Sequence, residues 1–143
     1  MSRIQIDLPG EFVFSTEIPI MIGNINRGNH LAWDAVLSIM EEARIRFLNS
    51  LGFRDENVDG VSFIVVDAAI MYRRQGRHGQ ILRVEIAVTG FSSKGCDIVF
   101  RISDAGTGEE MVRAKTGVLF YDYRQQKVAP VPEEFKKKVP GGM

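Results

Sequence analysis

Residues 31–51, LAWDAVLSIMEEARIRFLNSL, constrain this chain more than any other stretch. Trp33, Leu37, Met40, Phe47 and Leu51 recur at steps of three, four and seven, with Val36 and Ala43 beside them. That is the period of an amphipathic helix. Ala, Leu, Met, Glu and Arg dominate the segment, and all favour helix. Gly52 follows at the position where a helix commonly stops. Ile39 and Ile45 carry apolar surface beyond the main face. Such a helix needs cover on nearly every side.

Almost everything else reads as strand. Segments 12–22, 61–73 and 81–91 are rich in β-branched and aromatic residues. SSKG at 92–95 makes a turn into a strand over 96–103, and DAGTGEE at 104–110 leads into MVRAKTGVLFYDY. The last three strands, joined by short Gly-containing loops, form an antiparallel meander. An economical way to cover the helix is to wrap the sheet around it, although a plain α+β sandwich would cover most of it. The tail, 124–143, holds three prolines and a lysine run and is expected to lie over the surface or fray.

Length and charge narrow the classes. A chain of 143 residues has the size of one domain, here 1–143 with a core of about 12–135. Eighteen basic residues balance eighteen acidic ones, so no global field favours nucleic acid or an anionic membrane. Cys96 is the single cysteine, which excludes an intrachain disulfide and a cysteine zinc site and suits a reducing, cytoplasmic location. The opening MSRIQIDLPGEF lacks the apolar run of a secretory signal. No apolar run approaches the ~20 residues of a membrane helix.

Chemistry concentrates in NINRGNHLAWD, residues 24–34, which packs three asparagines, Arg27, Gly28 and His30 against the start of the helix. Free N–H groups and the positive end of the dipole stabilise negative charge there. Asp34, Ser38 and Glu42 are spaced by four and form one ridge, which Arg46 extends. Asp34 is either a dipole-stabilising acid or a general base, and Glu42 is either the partner of Arg46 or a base. Glu41 is less favoured. Asn26 either builds the loop or orients a reactant, and His30 either orders the loop or donates to a substrate. No second histidine or cysteine stands near His30, so no metal is expected.

Taken in order, GNHLAWDAVLSIMEEARIRFLNSLGF at 28–53, AAIMYRRQGRHGQILRVEIAV at 68–88, VRAKTGVLFYD at 112–122 and the ending APVPEEF resemble the hotdog-fold acyl-CoA thioesterases of the 4-hydroxybenzoyl-CoA thioesterase type. The resemblance implies an α+β hotdog fold, an antiparallel five- to six-stranded sheet wrapped around one long central helix. It implies hydrolysis of an acyl-CoA to free acid and CoA, with CoA as part of the substrate and no separate cofactor. It also implies a homodimer with the site between subunits, and in many members a homotetramer. The family's loop carries an Asp four residues before the histidine, acting as nucleophile or base. Here that position is Asn26, and an amide neither takes a proton from water nor serves as an acyl acceptor.

The family's oxyanion donor, a backbone N–H in the first helical turn, matches Trp33. With Asn26 in place of the acid, water activation is expected from Asp34 or Glu42, since some members use a glutamate on this helix. The phosphates of CoA are expected to meet Arg73, Arg74, Arg77 and His78 of the RRQGRHGQ hairpin, together with Arg83 and Lys94. Trp33, Phe63 and Tyr72 line either an acyl pocket or the core. Two alternatives stay open: a non-catalytic acyl-thioester-binding protein, which Asn26 favours, and a dehydratase built on His30 and Glu42. The proline-glycine-rich loop of the bacterial fatty-acid dehydratases is absent.

Overall fold

A computed structural model describes residues 3–54 and 57–139 of the chain. The strands are β1 (Phe14–Pro19), β2 (Ser62–Tyr72), β3 (Ile81–Thr89), β4 (Gly95–Asp104), β5 (Glu110–Asp122) and β6 (Lys127–Ala129). They form one antiparallel sheet in the order β1-β3-β4-β5-β2, with β6 paired to β5. The long helix α1 (Ala35–Ser50) lies on the inner face, and a short helix α2 (Glu133–Lys138) follows β6. Alternation sets the two faces. In β3, Leu82, Val84 and Ile86 are buried in the core shared with α1, while Arg83 and Glu85 between them turn to the outer face. The meander of β3, β4 and β5 is as the turn residues require.

The helix face differs from the periodic reading. Val36, Ile39, Met40, Ala43, Phe47 and Leu48 are buried, whereas Leu37 is 46% and Trp33 72% exposed. The apolar stripe is therefore centred near Val36, Met40, Ala43 and Phe47 and takes in Ile39. Leu37 faces away from it. The helix also begins at Ala35 rather than Leu31, because Leu31 bridges Ile25 and the Ala32 N–H donates to Asn24 O at 2.8 Å. Its end is as expected, with Gly52 in the left-handed region at φ 90°.

Two further expectations are corrected. The segment RRQGRHGQ is not a hairpin, since β2 pairs with β5 and β3 with β1 and β4; it is a crossover between non-adjacent strands. Nor does the tail lie loose. Val131, Phe135 and Val139 are buried, and the Phe135 ring sits 5.2–6.4 Å from the rings of Phe53, Phe63, Phe91 and Phe120. Burial of Phe135 together with Val131 and Val139 offsets part of the entropy of ordering the tail. Burial also reaches back beyond residue 12, to Ile6 on the outer face, whose carbonyl accepts from Arg113.

Candidate active site

The three asparagines of the polar loop are loop builders first. Asn24 Oδ1 accepts from the Met21 N–H at 2.8 Å and closes the short 3-10 turn Ile22–Asn24. Asn26 Oδ1 accepts from the N–H groups of Gly28 (3.1 Å) and His30 (3.2 Å). Asn29 takes the left-handed backbone at φ 66°, which asparagine tolerates better than most residues. A donor bond from Leu31 N to Gly76 O, 2.8 Å long, ties this loop to the β2–β3 crossover. Gly76 allows the approach: a β-carbon there would stand 2.8 Å from Ile20 Cδ1 and 3.1 Å from Leu31 Cβ.

Between the loop and the crossover opens a cleft of about 360 Å³ at the amino end of α1. Asn26, His30 and Trp33 line one side, Tyr72, Arg73 and Arg74 the other, with Val36 and Val112 as apolar walls. Both Asn26 oxygens face inward to the loop, since its carbonyl O also accepts from Asn29, so its side chain offers the cleft only the Nδ2 donor. The His30 ring has no hydrogen-bond partner among the described residues, and a β-carbon at Gly28 would lie 3.4 Å from its Nδ1. The Trp33 and Asp34 amides likewise lack an acceptor among the described residues. The Tyr72 hydroxyl donates to Trp33 O at 2.7 Å. Burial, and then the negative charge of Asp34, push that hydroxyl's pKa above its ordinary value.

Residues 20–139 match the family model of the thioesterase-like superfamily. The chain belongs to that superfamily. Its fold is the hotdog. A 1,4-dihydroxy-2-naphthoyl-CoA thioesterase from Synechocystis superposes with a TM-score of 0.81 at 21% identity, over 90% of this chain and 96% of that one. A gentisyl-coenzyme A thioesterase gives 0.78 at 14% identity, covering 86% and 99%. A 12:0-ACP thioesterase from Umbellularia californica gives 0.72 at 18%, covering 87% of this chain and 51% of that one. At such identities the likeness is one of fold. A comparison with curated protein sequences gives no match.

Within this superfamily member, the structure brings Asn26, His30 and Trp33 to one cleft and leaves the two expected bases outside its lining. Glu42 is held by Arg46, with Oε2 2.7 Å from Nε, and Arg46 also reaches Thr16 and the Glu17 carbonyl. Asp34 stands at the helix entrance, exposed, near enough to raise the Tyr72 pKa. Glu41 instead lines a second, smaller cavity of about 120 Å³ with Leu37, Arg44, Val65 and Thr116. Trp33 precedes the helix rather than sitting in its first turn.

The cations separate too. Arg73 and Arg74 pair with Glu110 and Glu109, while Arg77 and His78 follow them on the exposed crossover. Arg83 lies on the outer face between Glu17 and Ser103. Lys94 is in the β3–β4 turn, at the far end of a nine-residue strand that spans roughly 27 Å. Hairpin geometry keeps it away. Tyr72, which the sequence offered as lining of an acyl pocket or of the core, lines the cleft and is half-exposed; its bond to Trp33 is what the sequence did not disclose.

Proposed function

We propose that this protein hydrolyses an acyl-coenzyme A thioester to the free acid and coenzyme A. One observation carries the reading: a cleft at the amino end of α1 gathers, in a chain of the thioesterase-like superfamily, an amide donor together with amides and an imidazole that have no partner among the described residues. The thioester oxygen takes the Trp33 N–H, supported by the helix dipole, and Asn26 Nδ2 adds a second donor. Asn26 cannot activate water, and neither Glu42 nor Asp34 lines the cleft. His30 is left as the base, since an imidazole exchanges protons near neutral pH. Water attacks the carbonyl carbon and gives its proton to His30. The C–S bond then breaks, and the leaving thiolate takes that proton back as CoA.

Arg77 and His78, with Arg73 and Arg74 at the rim, receive the phosphates of the nucleotide end. Their ionic contacts weaken with salt. The second subunit docks along β2, whose outer edge is open among the described residues. This eleven-residue strand is strongly apolar, with Val65 48% and Val66 53% exposed beside Leu37 of α1. A long apolar edge is a template for pairing with another chain. A partner there also encloses the small cavity that Glu41 and Val65 line.

The absence of a carboxylate from the cleft lining among the described residues favours a second reading, in which the site binds an acyl thioester without cleaving it. Thiol release from short, medium, long and aromatic acyl-CoAs, read with a colorimetric thiol reagent, separates the two. Release that falls at least roughly a hundredfold in His30→Gln supports hydrolysis with that base. Binding with no release from any ester leaves the binder.

A further inference from the structure

Tyr72 lines the cleft. It ends β2, and its hydroxyl reaches 39 residues back along the sequence to the Trp33 carbonyl at 2.7 Å. In a continuous helix that carbonyl accepts from the N–H four residues on. Here the Leu37 N–H turns to Asp34 O at 3.2 Å instead, and Trp33 O is left to the tyrosine. The peptide unit before Trp33 is held independently, because Ala35 N donates to Ala32 O at 3.0 Å. Peptide units are planar, so holding a carbonyl oxygen holds the whole unit. The Ala35 bond thus fixes the unit that carries the Trp33 N–H, and the Tyr72 bond fixes the next one, which carries the Asp34 N–H.

We propose that Tyr72 is a positioning residue: a strut from the sheet edge to the helix entrance that preorganises the Asp34 N–H, beside the Trp33 N–H, to receive the developing oxyanion. The inference rests on the hydrolase reading above. A donor aimed before the reaction starts costs no reorganisation as charge develops, which is where such donors gain their effect. Nothing local substitutes for the strut, since Trp33 lies outside α1 and its carbonyl has no other donor among the described residues. The raised Tyr72 pKa keeps the hydroxyl protonated, and so donating, into the alkaline range.

Tyr72→Phe removes the donor and keeps the ring. Two measurements are made on it. Steady-state kinetics should show kcat reduced roughly tenfold, the loss of one modest hydrogen bond acting in the transition state, with KM within about twofold of wild type. In the ligand-free protein, ¹⁵N relaxation should show the Asp34 amide order parameter falling from the rigid range near ~0.85, while those of Trp33, β3 and β4 stay unchanged. An unchanged Asp34 order parameter overturns the strut, whatever the kinetics. A lower one with unchanged kcat overturns its catalytic role. A wild type that cleaves no thioester overturns the hydrolase reading, and the relaxation arm then decides the strut by itself.

Discussion

Asn26 commits its side-chain oxygen to the Gly28 and His30 amides, and this divides the effects of its substitutions. Asn26→Ala loses two loop hydrogen bonds and should destabilise the protein by about 1 kcal/mol or somewhat more, read by thermal unfolding. Asn26→Asp keeps an acceptor for both amides and sets a carboxylate oxygen at the cleft. We expect kcat to rise roughly tenfold or more, because a placed carboxylate supplies the base or nucleophile that an amide cannot. No rise in kcat with an intact fold would mean that position 26 does not face the scissile bond. Glu42→Gln should change neither kcat nor, beyond about 0.5 kcal/mol, stability, since its partner is an exposed i,i+4 arginine. The lone thiol is a convenience. Cys96 is 4% exposed, and burial, then the charge of Asp97, push it up to about 12, so the folded protein should leave a thiol reagent unreacted. Reagent uptake without substrate would contradict that burial.

At the scale of elements, α2 is the test of how the tail holds. Phe135 is fully buried among four other phenylalanines, so Phe135→Ala should cost roughly 3–5 kcal/mol, measured by denaturant unfolding. A cost below about 1 kcal/mol would mean the tail is dispensable. The prolines of this tail suggested a loose segment, whereas Val131, Phe135 and Val139, each four apart, held the truer signal. The α1 period and the β3–β5 meander were legible because both depend on near neighbours. The true start of α1 was not, because the bonds that unwind residues 31–34 come from Asn24, Ile25 and Gly76. Strand order was illegible for the same reason: β2 lies beside β5 through pairs such as Phe63 with Phe120. At the site, the polar loop announced itself, but Tyr72 reaches it only through tertiary contact. Lys94 shows the opposite failure, a cation counted by sequence that the β3–β4 hairpin carries to the far end.

The whole molecule should be a pair. Light scattering at micromolar concentration should give a dimer mass, and Val66→Lys should weaken it by setting a charge on the open edge of β2. A monomeric wild type would remove the second subunit from the site. Rising ionic strength should raise KM for acyl-CoA while leaving kcat nearly constant, as contacts of Arg77 and His78 with phosphate are screened; a flat KM would remove these residues from the nucleotide end. The most direct measurement is release of free CoA from a panel of acyl-CoAs by the wild type and by His30→Gln, side by side. The expected result is turnover of at least one ester by the wild type, with kcat at least roughly a hundredfold lower in the variant. Equal kcat in the two proteins, or acyl-CoA binding with no CoA released, would contradict hydrolysis at the mouth of α1.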